Sequence, residues 1–431
     1  MRKRVNFMKH RELVGQQEVC TAAEYRAAIW DVVYLAACVV NHCAPDVKRV
    51  QHMNLTHLYR AAKAQLLTAI VAEALEQAGV ADDTFRQAKA KAIRKNVLFE
   101  AERAQILAQF EEAGIWYMPL KGSVLQAYYP GIGLRQMADN DILFDSTRQR
   151  DVRRIMERMG YQTESYGQGN HDVYKKKPVF NFEMHTALFG AQGIHPASYT
   201  YYEQVKERLR KDEGNRFGYH FSPEDFYVYM LAHAYKHYDG SGTGLRSVLD
   251  VYVYLQTCGA KLDQDYIQAQ LVQLGMVEFE AQCRHLAQSL FGGDAVNAAK
   301  AKGANADGAV NAAETAEAAA AGGRPTGLSA EDQKMFDYMT ASGTYGTHRN
   351  AVANRMRKKF GEGKFLTAQM RWQYLWQRLF PSQEELLPYF PPAKYKPLIP
   401  FVYVFRFVRG ITVRGKRTWS ELKIVNRQKK L

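Results

Sequence analysis

Residues 137–144 read Met-Ala-Asp-Asn-Asp-Ile-Leu-Phe, an apolar stretch that is typical of a β-strand but carries two carboxylates. Alternate residues of a strand point to the same face, so Asp139 and Asp141 share a face with Cα atoms roughly 7 Å apart. Glu183 lies in a second predicted strand, Phe-Asn-Phe-Glu-Met-His. Clustered like charges are unfavourable unless cations neutralise them, and carboxylate oxygens favour Mg²⁺ or Mn²⁺. The three residues therefore predict a metal site of the kind used in phosphoryl or nucleotidyl transfer.

A glycine turn precedes the carboxylate pair. Lys121, Gly122 and Ser123 run directly into residues 124–128, which have helical spacing. Glycine lets a phosphate approach the backbone closely, and a helix N-terminus offers free N–H donors and a partial positive charge. Lys121 adds a mobile cation, and Arg135 is placed either to bind a phosphate or to pair with an aspartate. We predict that these four residues bind the phosphates of a nucleotide.

These motifs resemble the nucleotidyltransferase (polymerase-beta-like) superfamily, in which Gly-Ser opens a helix and is followed by Asp-x-Asp and a later carboxylate. The likeness is greatest to its uncharacterised nucleotidyltransferase family, which reads Leu-Lys-Gly and then Asp-x-Asp. The resemblance is strong over about residues 116–190 and extends more weakly through His233 to Asp250. The matching residues are Leu120, Lys121, Gly122, Asp139, Asp141 and Glu183.

The carboxylates and the resemblance together imply a metal-dependent nucleotidyltransferase. Asp139, Asp141 and Glu183 would be both the catalytic residues and the ligands of two Mg²⁺ (or Mn²⁺) ions. An acceptor hydroxyl would attack the α-phosphate of an NTP in line and release pyrophosphate. ATP is the expected nucleotide. A protein side chain, an RNA end and a small molecule all stay open as the acceptor.

Two other classes of function fit parts of the sequence. One is a non-catalytic nucleotidyltransferase-like regulator or antitoxin partner, although the retention of all three carboxylates argues against it. The other is a nucleic-acid-binding protein with structural carboxylates, which would show salt-sensitive, Mg²⁺-independent affinity for RNA or DNA. A protein kinase is disfavoured, because the sequence contains neither a Gly-x-Gly-x-x-Gly loop nor a His-Arg-Asp motif followed by Asp-Phe-Gly.

The hydrophobic pattern predicts an α+β protein with a small mixed β-sheet between helical regions. Residues 1–116 would form a helical lead-in, 117–190 the nucleotidyltransferase-like core, and 191–291 a helical region that completes the pocket. Residues 292–328 contain almost no large apolar side chain and predict a flexible insert. Residues 329–431 predict a C-terminal helical region with a basic tail.

Local signals refine this outline. Arg148–Met159 is a predicted helix, and residues 161–166 and 172–176 are the strands of a predicted hairpin. In the strand that carries Glu183, alternation places Glu183 on a polar face and Phe182 on an apolar face. Ser222, followed by a proline, is a typical start of a helix.

His233 and His237 lie one turn apart on that helix. Zinc binding is one interpretation of the spacing, but the glutamate of His-Glu-x-x-His is missing. A hydrogen-bonded pair of histidines is another. We prefer a third, in which the helix faces the nucleotide and His237 and Lys236 contact phosphate or substrate. Arg246, on the next helix, either joins this pocket, as the resemblance implies, or pairs with Asp250 four residues later.

The tail at 397–431 interleaves aromatic side chains with lysines and arginines. Such interleaving suits nucleic acid or an anionic membrane surface. We favour a simpler interpretation, an amphipathic closing element with a solvated basic end. Trp372, Trp376 and Phe380 have helical spacing and are predicted to be core or helix-packing residues.

Bulk composition is that of a globular protein. The 431 residues, 47% hydrophobic, are enough for two or three domains. The net charge of +14 favours polyphosphate or nucleic-acid partners. Five scattered cysteines without a Cys-x-x-Cys motif predict a reduced cytoplasmic protein without disulfides. No apolar segment has the features of a signal peptide or reaches the roughly 18 residues of a membrane-spanning helix.

Overall fold

Helices surround a small β-sheet in the computed structural model, which describes residues 20–190, 196–293, 328–387, 390–412 and 415–428. The α+β class that the sequence predicts is confirmed. Nearly all of the predicted flexible insert, and the end of the basic tail, lie outside the described residues.

The first ten helices carry or surround the site. They are α1 (Ala22–Val40), α2 (Val47–Gln51), α3 (Leu55–Ala64), α4 (Thr68–Gln77), α5 (Asp83–Ala113), α6 (Gly122–Leu125), α7 (Gln149–Arg158), α8 (Pro196–Tyr202), α9 (Pro223–Gly240) and α10 (Arg246–Cys258). The later helices are α11 (Gln264–Leu274), α12 (Val277–Phe291), α13 (Ala330–Ser342), α14 (His348–Phe360), α15 (Ala368–Leu379), α16 (Gln383–Leu386), α17 (Ile399–Thr412) and α18 (Gly415–Arg427).

The strands form a mixed five-stranded sheet and a two-stranded ribbon. They are β1 (Tyr117–Pro119), β2 (Asn140–Phe144), β3 (Gln162–Ser165), β4 (His171–Lys176), β5 (Phe180–His185), β6 (Arg210–Lys211) and β7 (Tyr219–His220). The order in the large sheet is β1-β2-β5-β4-β3. The central pair β2 and β5 is parallel, and its neighbours are antiparallel. The predicted β3–β4 hairpin is confirmed.

Helices α5 and α7 cover one face of this sheet. Phe99 and Ile106 of α5 pack in one buried cluster with Ile142 of β2 and Phe182 of β5. Alternation along each strand sends these apolar side chains to one face and leaves the carboxylates on the other. The predicted division of the strand that carries Glu183 into two faces is therefore confirmed.

The opposite face packs against a second hydrophobic core. This core contains helices that precede the sheet in the sequence and helices that follow it. Leu143 of β2 belongs to it, together with Val32 of α1, Leu231 of α9 and Leu286 of α12. Helix α9 begins as predicted, with the Ser222 side chain accepting a hydrogen bond of 3.0 Å from the Asp225 N–H. Its His233 and Lys236 lie within electrostatic range of Lys121, so the helix faces the carboxylate side of the sheet. We call the space between α9 and the sheet the cleft.

The aromatic residues of α15 correct one prediction. Trp372, Trp376 and Phe380 are between 41% and 63% exposed, so they do not lie in the core, whereas the helix-packing alternative holds for Phe380, whose ring centroid lies 5.3 Å from that of Tyr403 of α17. Helix α15 instead buries Tyr374, which packs with Val352 of α14 and donates a hydrogen bond of 2.8 Å to Glu421 of α18. Helical spacing identifies a common face, but it does not tell which face meets the core.

None of the described helices is both long enough and apolar enough to cross a lipid bilayer. The most apolar of the C-terminal helices, α17, has 14 residues, which corresponds to a length of about 21 Å. The hydrocarbon layer of a bilayer is about 30 Å thick.

Deleting residues 297–325 should leave the fold intact. The flanking helices contact each other, because Gln282 Nε2 of α12 donates to Glu331 O at 3.0 Å and His285 Nδ1 lies 2.7 Å from Asp332 Oδ2. Glu331 is thus about 14 Å from the end of α12, a distance that the remaining residues and a short Gly-Ser link can span. We expect the melting temperature to change by no more than about 4 °C. A loss of the cooperative transition would contradict this.

Candidate active site

The three predicted carboxylates converge on one face of the sheet. Asp141 of β2 and Glu183 of β5 are register partners on adjacent parallel strands, and Asp139 directly precedes β2. Asp141 is buried, while Asp139 and Glu183 are partly exposed to the cleft. Among the described residues, the Asp139 carboxylate has no hydrogen-bond partner. The shared face of Asp139 and Asp141 follows, as predicted, from the period of two along a strand.

Two cationic or polar groups hold Asp141. Lys121 Nζ lies 2.6 Å from Asp141 Oδ1, and His185 Nε2 lies 2.8 Å from the same oxygen. Burial acts to raise the pKa of Asp141, but Lys121 and His185 outweigh it and hold this pKa below its usual range. Burial acts to lower the pKa of Lys121, and Asp141 outweighs it and raises that pKa. Both partners are thus charged at neutral pH, and Lys121 binds a carboxylate in this structure.

The other two carboxylates carry unbalanced negative charge. Burial and the charges of Asp141 and Asp139 raise the pKa of Glu183 to about 7. Burial and the charge of Asp141 also raise the pKa of Asp139. A divalent cation would relieve this repulsion, and an all-oxygen donor set with an unbonded carboxylate suits Mg²⁺ or Mn²⁺. The residues present therefore fit the metal that the sequence predicts.

Two histidines extend the carboxylate cluster. His171 Nε2 and His185 Nε2 each lie 3.7 Å from Glu183 Oε2. Ligand atoms of His171, Glu183 and His185 all lie within 4.8 Å of one another. Burial and the charge of Lys121 lower the pKa of His185 to about 4, so its ring is neutral at pH 7. Neutral imidazole is a ligand for several divalent metals, and the cluster can offer nitrogen as well as oxygen donors.

Sequence reasoning did not assign these histidines to the site. Alternation in β5 does predict that His185 shares the face of Glu183, but it assigns His185 no role. His171 could not be found, since it joins the site through the β4–β5 pairing, in which His171 and His185 are register partners. Their rings lie 5.0 Å apart.

The turn before α6 is strained at Lys121. Its φ of 52° and ψ of −116°, with a 3.3 Å bond from the Ser123 N–H to Leu120 O, define a type II′ turn. Glycine favours this left-handed position, and a lysine there raises the energy of the backbone. The strained turn directs the Lys121 side chain to Asp141.

The N–H donors expected at this turn are largely engaged within it. The Ser123 N–H bonds Leu120 O, and the Val124 and Leu125 N–H groups both bond Lys121 O. The Ser123 hydroxyl also donates to Leu120 O, at 2.7 Å. These groups are thus not free for a phosphate in this conformation. The phosphate-binding roles of Gly122 and Ser123 stay predictions.

Arg135 takes the second of its two predicted roles and pairs with an aspartate. Its guanidinium makes two bonds, of 2.7 and 2.8 Å, to the carboxylate of Asp250, which also accepts a bond of 2.8 Å from the Tyr129 hydroxyl. All three side chains are buried. A Cβ at Gly122 would lie 2.8 Å from Met137 Sδ and closer still to Arg135 Nη1. Gly122 therefore lets the turn pack directly on Arg135.

Cations line the side of the cleft near Asp139. Arg246 Nη1 of α10 donates to Gln136 O at 2.8 Å, so the predicted pairing of Arg246 with Asp250 is not observed. Lys95 Nζ of α5 donates to Ala138 O at 2.7 Å. Both cations lie within electrostatic range of Asp139. Lys95 was missed because no local motif marks a lysine 44 residues before Asp139 in a long helix.

Helix α9 faces the carboxylates. Burial and the charge of Lys121 lower the pKa values of both His233 and Lys236, so both side chains lie within electrostatic range of Lys121. His237 Nε2 lies 3.1 Å from His233 Nε2, so the hydrogen-bonded histidine pair is observed. Within the described residues, no third ligand joins this pair to make a metal site. The orientation of α9 is the one that the pocket interpretation requires.

Lys121→Gly should be more stable than Lys121→Ala by about 1 kcal/mol. Both changes remove the ion pair with Asp141, but only alanine keeps a Cβ at positive φ. The free energies of unfolding in urea measure the difference. Lys91, inside α5, serves as the control position. There the alanine variant should have the larger free energy of unfolding, because glycine destabilises a helix interior. Equal stabilities of the two Lys121 variants would contradict the strain.

The metal-free protein should lose a Glu183-dependent part of its stability as the pH rises from 4.5 to about 7. The folded protein binds the Glu183 proton more tightly than the unfolded chain, whose pKa is near 4.5. This stabilisation is fully present below pH 4.5 and is lost as Glu183 ionises. Urea unfolding in a chelator should show a smaller decline for Glu183→Gln. Parallel curves for the two proteins would contradict the raised pKa.

The residues that match a known family include every residue of the cleft named above. A family model described as "Uncharacterised nucleotidyltransferase" matches residues 51–292. This range contains all of the cleft residues described above, from Lys95 to Arg246. No curated protein and no solved structure matches the chain. Because the matched range is more than half of its length, the chain belongs to the uncharacterised nucleotidyltransferase family.

Proposed function

We propose that the protein is a divalent-metal-dependent nucleotidyltransferase that transfers an NMP from an NTP to an acceptor hydroxyl and releases pyrophosphate. The observation that carries the proposal is the convergence of Asp139, Asp141 and Glu183 on the face of the sheet that borders the cleft. ATP is the nucleotide of first choice, and a protein, an RNA or a small molecule can supply the hydroxyl.

Asp139, Asp141 and Glu183 would hold Mg²⁺ or Mn²⁺. When bound, the metal supplies neutralisation of the phosphates and activation of the acceptor oxygen. Lys121 keeps Asp141 ionised and therefore ready to bind a cation. Lys121 can then exchange its carboxylate partner for a phosphate oxygen, because its charge acts as a point charge without fixed geometry.

Lys236 of α9 and Arg246 of α10 supply positive charge for the substrate. Burial and the charge of Lys121 lower the pKa of Lys236, and burial and the charge of Arg135 lower the pKa of Arg246. Neither side chain has a carboxylate within ion-pair distance among the described residues. Lys236 and Arg246 are partly exposed. Cations that are partly removed from water gain from a counter-charge, which a triphosphate would provide. The carboxylates that would hold the metal, together with these cations, support an NTP as the substrate.

Asp139→Ala and Asp141→Ala should each reduce nucleotidyl transfer by at least about 100-fold, since even a residue that only orients a metal ligand is worth about 10–100-fold. The assay incubates the protein with each α-labelled NTP, Mg²⁺ and cell extract, and follows the label into an acceptor. Asp265→Ala, which removes an exposed aspartate from α11, is the matched control and should retain activity.

Thermal melts without metal separate chemistry from folding. Asp139→Ala should be at least as stable as the parent, because it relieves repulsion. Asp141→Ala should be destabilised, because it leaves the Lys121 charge without its partner. Near-normal transfer by both variants would overturn the assignment of the catalytic carboxylates. Binding of NTP by the parent protein without transfer to any acceptor would instead favour a non-catalytic regulator.

A further inference from the structure

Helix α17 turns an apolar stripe to solvent. Phe401, Val404, Phe405 and Val408 are between 52% and 71% exposed. Their spacing of three and four residues places them on one side of the helix. The other side packs inward through Val402, which belongs to a small buried cluster with α16. A surface helix ordinarily turns its apolar side to the core, and a contiguous exposed apolar surface marks an interaction site.

Aromatic side chains at the C-terminal end of α15 form a second exposed apolar row. Trp372 and Trp376 have ring centroids 6.0 Å apart, and Trp376 and Phe380 have centroids 4.6 Å apart. Phe380 meets Tyr403 of α17 edge to face at 5.3 Å. The two helices thus pack together through Phe380 and Tyr403, and each of them also exposes apolar side chains to solvent.

The charge around α17 is strongly positive. Residues 365–431 contain thirteen lysines and arginines and three glutamates, and they therefore account for ten of the fourteen net positive charges of the chain. Lys394 and Lys396 are exposed just before α17, and Arg409 is exposed near its end. One of the glutamates, Glu421, is paired with Arg378 at 2.9 Å. Cations therefore flank the apolar stripe at both ends.

We propose that α17 and its flanking cations dock the protein on an anionic lipid surface. The stripe would lie at the boundary between headgroups and acyl chains, and the lysines and arginines would contact the headgroups. Helix α17 is too short to span the bilayer, so it lies in the interface plane. The position of α17 beyond the family-matched range makes this property independent of the proposed catalysis.

The chemistry of the stripe separates lipid from other occupants. Rings such as Phe401 and Phe405 suit either nucleic-acid bases or lipid. The aliphatic Val404, Val408 and Leu398 have no π-face for a base and suit lipid alone. A second copy of the chain would bring two basic regions together, which like-charge repulsion opposes. An anionic lipid surface satisfies both the apolar stripe and the charge.

Co-sedimentation of the full-length protein with vesicles tests the proposal. The vesicles are phosphatidylcholine alone, or phosphatidylcholine with about one third phosphatidylglycerol. We expect binding to the anionic vesicles that weakens with salt. The double variant Phe401→Ser/Phe405→Ser should bind at least about tenfold more weakly, because each phenylalanine loses its burial in the lipid.

A matched control removes two equally exposed apolar side chains elsewhere, in Val272→Ser/Tyr345→Ser, and should bind like the parent. Equal binding of the Phe401/Phe405 variant and the parent, or no binding of the parent to anionic vesicles, would overturn the proposal. So would a gel shift with RNA or DNA that depends on Phe401 and Phe405 in a protein that does not bind vesicles. Dimerisation through the same residues, measured by sedimentation, would assign the stripe to a second copy.

Discussion

The ion pair between Lys121 and Asp141 is the interaction on which the cleft depends. It joins the turn after β1 to the central strand β2, at a site where both partners are largely removed from water. An unpaired charge at such a depth is unfavourable by several kcal/mol. The pair therefore fixes the position of the turn over the sheet. It also makes the strained backbone at Lys121 tolerable, since strain persists only where the surrounding structure holds it in place.

The pair also makes the three carboxylates of the cleft electrostatically unequal. Asp141 remains ionised because Lys121 compensates its charge, while Glu183 and Asp139 bear the repulsion that is left. The cations Lys236 of α9 and Arg246 of α10 lie within electrostatic range of these carboxylates. The charges in the cleft cancel only when a cation binds the carboxylates and an anion binds the cations of α9 and α10. The bound state that the proposed reaction requires is therefore also the state in which the local charges cancel.

The sequence predicts those parts of the site that follow from local geometry. Asp139, Asp141 and Glu183 could be placed on one face because the period of two along a strand is independent of the fold. The partner of Arg135 could not be predicted, since Asp250 follows it by 115 residues and only the packing of α10 brings the two together. His171 depends in the same way on strand pairing. The exposure of Trp372 and Trp376 could not be predicted for another reason. Helical spacing shows which residues share a face of a helix, but not whether that face meets the core.

The contact of Gly122 with Arg135 has a mechanical consequence. Because the turn lies directly on a guanidinium that makes two hydrogen bonds to Asp250 of α10, the position of the turn is linked to that of α10. Displacing α10 from the turn would break both bonds to a buried charge at once, which is strongly destabilising.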